Sequence, residues 1–326
     1  MHATRPRGGP TKNATLRQLR AFECVARHLS FSRAATELHL TQPAVSTAVR
    51  QLESHAGAAM FEHVGHRIFL TAAGKQVLTG ARAIMQQVRE TEEALATLGD
   101  GGGSLNVAVI SAGNYFFPGL LAEFKRRHAN VNITLSVSNR DDVLRSLTDN
   151  LIDIAIMGRP PHTADMVSEP CATHPYVMIA PPHHPLAGKR RIAWPRLAQQ
   201  RIIVRERGSD NRQTFDETCA EKKLVLRVAM EIASNETIKQ SVIAGMGIGF
   251  LSAHTIAPEL ELKRLVVLDI AGFPVMRHWY SVYPRKKRLP PMALAFSEFL
   301  RAEGAELICR LTGVPARRKR GKARAG

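Results

Sequence analysis

Cysteine is scarce in this chain: four residues in 326, at Cys24, Cys171, Cys219 and Cys309. They stand far apart and form no CxxC pair, which argues against a disulfide framework or a thiolate zinc site. Buried thiols are expected, with redox sensing by Cys171 or Cys219 the lesser alternative. HExxH is absent, and the adjacent His183 and His184 do not readily converge on one ion, so no metal and no resident cofactor are expected. No apolar run approaches the ~20 residues of a membrane span, and the polar N-terminus lacks a signal-peptide core. A cytoplasmic protein without membrane contact is the expectation. Catalytic signatures are missing as well. There is no GxxxxGK[ST], no GxGxxG after a strand and no Ser/His/Asp grouping, and GMGIGF (245–250) precedes a strand and reads as a tight turn. An enzyme is not expected, and no catalytic residue is assigned.

Acidic residues are also few where it matters. The net charge is +17, and residues 1–75 hold ten Lys/Arg against four Asp/Glu. The tail Arg317, Arg318, Lys319, Arg320, Lys322 and Arg324 contains no acid. Both ends are basic and the middle is nearly balanced, which points to a polyanion partner. Residues 1–14 and 304–326 read as a disordered basic N-terminus and a basic C-terminal tail.

Between them the patterning is dense. Thr15 and Gln18 have capping-box spacing, and Leu16, Leu19, Phe22, Val25 and Leu29 recur at helical period, giving a first helix to about His28. Ser30 or Ser32 caps a short helix, Arg33 to Leu38, whose Ala34 and Ala35 permit a close crossing. His39 falls where a tight turn needs φ > 0. Thr41 caps a third helix with Pro43 in its first turn. There Val45, Ala48, Val49 and Leu52 face inward, and Gln42, Ser46 and Arg50 form one line expected on the opposite face. These are the parts of a helix-turn-helix, whose second helix enters the DNA major groove. Gln reads adenine, Ser is permissive, and Arg reaches guanine or phosphate. MFEHVGHRIFLT (60–71) reads as a hairpin with Arg67 at its tip, a wing placed to touch a phosphate or the minor groove.

Val77, Ala81, Ile84, Val88, Thr91, Leu95 and Leu98 step by four and three, a heptad seam for pairing two subunits. Gly101, Gly102 and Gly103 within 99–104 suggest a flexible hinge. Strand and helix patterns then alternate from Leu105 to about Leu300, which implies an α/β domain with mostly parallel sheets. Ligands bind at the carboxyl ends of such strands. Those ends carry Ser111, Ala112, Gly113, Asn114, Ser138, Asn139, Gly158, Glu206, Gly208, Ser209, Asn235 and Glu236. Capping explains several of these, but not Arg140, Arg159, Arg205 and Arg207 at one edge, since guanidinium forks suit phosphate or carboxylate. An anionic small molecule between two lobes is expected. A solute receptor without DNA binding would leave the N-terminal third unexplained.

SFSRAATELHLTQPAVSTAVRQLE, MFEHVGHRIFLTAAGK and the long helix after them resemble the winged helix-turn-helix of LysR-type transcriptional regulators. SNRDDVLRSLTDN, DIAIMGRPP, HHPLAGKRRI, RERGSDNRQTF and SNETIKQSVIAGMGIGFLSAHT are similar to the Calvin-cycle (RuBisCO operon) regulator subgroup, CbbR. The resemblance implies a winged helix-turn-helix at 15–72, a dimerisation helix at 73–98 and a hinge at 99–104. It further implies a two-lobed, periplasmic-binding-protein-like (type 2) effector domain at 105–303. Lobe I would be about 105–160 with 275–303, and lobe II about 161–274. The DNA-contacting set is then Ser32, Arg33, Thr41, Gln42, Pro43, Ala44, Ser46, Thr47, Arg50 and Arg67. A homodimer or homotetramer would bind inverted-repeat double-stranded DNA, bend it and engage RNA polymerase. Activation of carbon-fixation genes would answer to a phosphorylated metabolite, NADPH or an organic acid. The alternative is a LysR-type regulator of another metabolic operon sensing a different organic acid.

Overall fold

A computed structural model describes residues 13–65, 67–100, 102–161 and 163–314, without the side chains of residues 90, 93, 94 and 96–100. The expected N-terminal extension up to residue 12 and the basic tail from residue 315 lie outside the described residues, as does the Leu98 side chain at the end of the seam. The chain divides into two units, one running to Leu95 together with Asp149–Leu151, the other Ala96–Thr148 and from Ile152 onward.

In the first unit α1 (Leu16–His28), α2 (Phe31–Glu37) and α3 (Gln42–Ala56) precede a hairpin of β1 (Phe61–Val64) and β2 (Arg67–Leu70). Local chemistry sets each boundary. The Thr15–Gln18 capping box is present in both directions. Ser30, not Ser32, caps α2, so this helix starts two residues before Arg33. His39 adopts φ 54° at the turn, and Thr41 caps α3. Phe22, Val25, Val45, Val49, Leu52 and Met60 fill the core, with Phe61 between Phe22 and Phe31. Glu53 Oε1 accepts the Met60 N–H at 2.7 Å and ties α3 to the hairpin. Next comes α4 (Ala72–Asp100). A Cβ at Gly74 would stand 2.1 Å from the Met60 carbonyl oxygen, so only glycine permits that approach. The seam divides: Val77 and Ala81 pack into this unit's own core, whereas Ile84 and Leu95 are exposed.

The second unit runs β3 (Gly103–Ile110), α5 (Phe117–Arg127), β4 (Val131–Ser138), α6 (Arg140–Thr148), β5 (Ile154–Met157), β6 (Met166–Ala180), α7 (Trp194–Ala198) and β7 (Ile202–Arg205). Then follow α8 (Asp210–Glu221), β8 (Val228–Ile232), α9 (Asn235–Ile243), β9 (Ile248–Ser252), α10 (Ala257–Glu261), β10 (Val266–Val267), β11 (Val275–Pro284) and α11 (Pro291–Thr312). One sheet orders them β4-β3-β5-β11-β6-β9-β7-β8, with β10 on β6. The β3–β4, β3–β5, β7–β8 and β7–β9 pairs are parallel, and β6 and β11 pair antiparallel with each other and with their neighbours. The sheet is therefore mixed, not mostly parallel.

Three expected boundaries move. β6 and β11 each run through both lobes, so neither lobe begins at 161 or 275. Cys171, Ala172, Trp279 and Val282 lie in the first core, and Tyr176 and Met178 in another. Pro170 and Pro175 conceal this long strand from sequence patterning. α11 continues to Thr312, past the expected end at 303, because Leu307 and Ile308 extend the buried face of Phe296 and Leu300. The expected hinge at 99–104 overlaps regular structure at both ends, since α4 reaches Asp100 and β3 starts at Gly103, in register with Val131; Gly101 lies outside the described residues. Gly102 answers to close packing: a Cβ there would lie 3.2 Å from the Asn130 carbonyl oxygen. Cys24, Cys171 and Cys219 are buried and Cys309 half-buried, all as free thiols. Burial pushes Cys171 up to about 12, which suppresses the reactive thiolate.

Candidate nucleic-acid interface and ligand cleft

α3 stands on α1 and α2 through Val45, Val49 and Leu52, and this packing fixes which of its polar residues reach outward. Thr41, Gln42, Pro43, Thr47 and Arg50 are exposed, whereas Ala44 and Ser46 are half-buried. At about 100° per residue, Gln42, Ser46 and Arg50 lie on the flank of the helix. The line opposite the core is Pro43, Thr47 and Gln51. This corrects the expected placement, whose i, i+4 spacing was right but whose face was one residue off. Arg50 Nη2 donates to Ser46 Oγ at 2.9 Å, so those two side chains act as a pair. Ser32 and Arg33 are exposed on α2, and Arg67 is exposed at the start of β2.

A groove of about 510 Å³ runs beside α3, lined by Thr15, Arg17, Gln18, Pro43, Ala44, Thr47, Ala48 and Gln51. Gln18 donates to Gln51 at 3.0 Å across it. Arg17 and Gln51 escaped the sequence reading. Gln51 continues the Pro43–Thr47 line at the same four-residue spacing, which is the signal that would have found it. Arg17 sits on another helix, and spacing within α3 says nothing of it.

In the second unit the strand ends bring Ser111, Ala112, Asn139, Arg140, Arg205 and Ser209 around one cavity, with Ile110, Tyr176, Asp210 and Asn211. Its volume of about 20 Å³ holds one water molecule. Arg205 is 3% exposed. Its Nε and Nη2 donate to the Glu206 carboxylate at 2.7 and 2.8 Å, and its Nη1 donates to Ser111 Oγ at 3.2 Å and to Asn235 Oδ1. Arg140 Nε donates to the Arg159 carbonyl at 3.2 Å and stands 3.5 Å from Asp210 Oδ1. Asp210 Oδ2 accepts the Gly158 N–H at 2.9 Å, while its buried Oδ1 makes no hydrogen bond. Burial, against the pull of Arg140, raises the Asp210 carboxyl to about 6. A Cβ at Gly158 would stand 2.7 Å from His174 Nδ1 and 3.2 Å from Asp210 Oδ2, so glycine is what lets β5 end against both.

Several expected residues, two of them at the cavity, have other work as well. Ser209 caps α8, Ser138 and Asn139 donate to Asp142 at 2.9 Å, and Glu236 pairs with Lys239 at 2.8 Å. Gly113 packs on Val109 and Asn114 is exposed. Gly208, at φ +88°, is the close neighbour of Asp141 Oδ2. The arginines do not form one cluster. Arg140 and Arg205 line the cavity, and Arg207 is exposed. Arg159 pairs with Glu217 in a separate cavity of about 360 Å³ that includes Arg277 and Tyr280. Tyr176, Asp210 and Asn211 were missed because chain neighbours do not announce them: Asp210 meets Gly158 across 52 residues.

Two family descriptions match the chain. Residues 16–75 match "Bacterial regulatory helix-turn-helix protein, lysR family", and residues 99–305 match "LysR substrate binding domain". A RuBisCO operon transcriptional regulator of Allochromatium vinosum is 48% identical over 92% of this chain and 99% of its own length. The regulator CfxR of Cupriavidus necator is 43% identical over 93% and 97%. Among solved structures, the CcmR regulatory domain of Synechocystis PCC6803 in complex with 2-PG superposes with TM-score 0.59 at 36% identity, over 62% of this chain and 96% of that one. Full-length CbnR with its target DNA shares the fold, with TM-score 0.65 at 20% identity over 88% and 99%.

Proposed function

The chain belongs to the LysR family of bacterial transcription regulators, and from that premise we propose that it activates a carbon-fixation operon by binding promoter DNA under the control of a small anionic metabolite. The observation that carries this reading is 48% identity to a RuBisCO operon regulator along nearly the whole of both chains. Regulation of DNA places the protein in the cytoplasm, and among the described residues no helix is long and apolar enough to cross a membrane.

α3 is the recognition helix. Thr41, Gln42, Pro43, Thr47 and Arg50 meet the major groove with Ala44 and Ser46 beside them, Ser32 and Arg33 hold the backbone from α2, and Arg67 holds it from the wing. Ile84 and Leu95 on α4 are apolar and exposed, which suits pairing with a second copy and makes the target an inverted repeat. Two such pairs form a tetramer that bends DNA and recruits RNA polymerase.

The ligand enters between the lobes. Ser111, Asn139, Arg140, Arg205 and Ser209 surround it, and the cavity must widen, since room for one water excludes any organic anion. Glu206 occupies the Arg205 fork with the two-oxygen geometry that a ligand carboxylate or phosphate would use. An incoming anion therefore competes with Glu206 for Arg205, and that exchange is the signal. 2-PG, bound in the Synechocystis domain, is the first candidate. Footprinting on the region beside the chain's own gene, with and without 2-PG, NADPH and organic acids, tests the reading. A protected inverted repeat whose footprint changes with one of these supports it. No protected site, or protection indifferent to all of them, counts against it.

A further inference from the structure

Cys24 and His28 stand one turn apart on α1, and Glu37 closes α2. Four-residue spacing puts the first two on one helix face, and the α1–α2 crossing carries Glu37 over it. Cys24 Sγ, a His28 ring nitrogen and a Glu37 oxygen lie within 4.8 Å of one another. His28 Nε2 is 2.6 Å from Glu37 Oε2. A tethered cation already sits among them. Arg27 Nη1 and Nη2 both donate to the Glu37 carboxylate, and Nη2 lies 3.7 Å from Cys24 Sγ.

We propose that Cys24, His28 and Glu37 form a site for a zinc-like divalent ion, in which the metal displaces the Arg27 guanidinium and fastens α1 to α2.

The donor set decides the class of ion. A thiolate and an imidazole select zinc and its neighbours over magnesium or calcium, which take oxygen. Three protein ligands leave a fourth position for water. Metal–ligand bonds of about 2.0–2.3 Å set tetrahedral ligands roughly 3.5 Å apart, so separations of up to 4.8 Å close, and the 2.6 Å His28–Glu37 contact opens, each by on the order of 1 Å. Access comes from the outer side, where the His28 and Glu37 side chains are 27% and 44% exposed. Cys24, 1% exposed, forms the inner wall beside Ala34 and Ala35. On binding, the Cys24 thiol gives its proton to solvent and bonds the metal as thiolate. Arg27, with 39% of its side chain already exposed, swings into water on its flexible stem. The absence of a CxxC pair argues against zinc held by neighbouring cysteines; the ligands here come from two helices.

Cobalt(II) titrated into the full-length, chelator-stripped chain tests the site, because a thiolate bound to cobalt absorbs in the near ultraviolet. We expect that band to saturate at one cobalt per chain and to be abolished by zinc(II). His28→Gln, at a half-buried position, and Glu37→Gln, at an exposed one, should weaken binding by at least the roughly 10-fold that even an outer partner's loss costs. Arg27→Gln removes the competitor and should tighten binding several-fold. Absence of the band in the wild-type chain overturns the proposal, and so does a band that His28→Gln and Glu37→Gln leave unchanged, which would place the metal on another thiol.

Discussion

The two polar surfaces of this chain are built on opposite plans. On α3 the groups proposed to meet DNA stand at the surface of a helix that packs through its apolar side: Thr41, Gln42, Pro43, Thr47 and Arg50 are exposed. In the cleft the groups proposed to meet a ligand are already engaged. Arg205 is clasped by Glu206, Ser111 and Asn235, and Arg140 faces Asp210. An outward surface needs no counter-ion, because water screens it. A buried guanidinium must have one, because desolvation without a partner is costly. The first surface is therefore ready to bind, and the second must exchange partners first. Exchange is what makes a sensor.

Four measurements press on that contrast. The largest effect is acid loss of stability in the ligand-binding half. Burial pulls His254 down to about 4 and holds His174 well below the usual imidazole range. The unfolded chain takes up these protons near pH 6.5, so stability is full above 6.5 and is lost as pH falls toward 4. His254 alone accounts for about 3 kcal/mol at 1.36 kcal/mol per unit. Asp210 works the other way. Raised to about 6, it stays protonated in the folded state between about 4 and 6, where the unfolded chain has released its proton, so it returns stability as pH falls through that window. Thermal melts from pH 7.5 to 4 should show a net fall, and Asp210→Asn should steepen it.

Next, Arg205→Met should cost about 2–3 kcal/mol in chemical denaturation. That is somewhat below the roughly 3–5 kcal/mol for stripping one partner from a buried pair, because the Glu206 side chain is 25% exposed. Unchanged stability would mean that the cleft network is not needed to hold the lobes. Gln42→Ala should leave folding intact and lower discrimination between operator and mismatched DNA by about 1–3 kcal/mol, measured by competition binding. The smallest change comes at the wing. Arg67→Gln should weaken all DNA alike and reduce the salt slope by about one, with no loss of discrimination.

The N-terminal elements were legible because their determinants are local. The Thr15–Gln18 box, the Ser30 and Thr41 caps and the positive φ of His39 all act within a few residues. The face of α3 was misjudged only by its angle: 100° per residue separates the Ser46 flank from the Thr47 front. In the second unit the alternation of strands and helices was readable, and Ser111, Asn139, Arg140, Arg205 and Ser209 do meet at one cavity. What stayed hidden depends on distant partners. Pro170 and Pro175 disguised β6, whose companion β11 lies about a hundred residues on. Arg205 looked like a free anion receptor until Glu206 proved to occupy its fork. Arg159, expected beside it, is drawn away by Glu217.

β6 and β11 stay paired from Val275 opposite Tyr176 to Pro284 opposite Met166, with one register shift between Trp279 and Tyr280, and both pass from one lobe to the other. Such a double ribbon cannot swing about a single bond as a door does on a pin. It flexes like a leaf spring along its paired length, and it resists in proportion to how far it is bent. Any ligand that draws the lobes together loads that spring, and its departure lets the molecule recoil without unfolding anything.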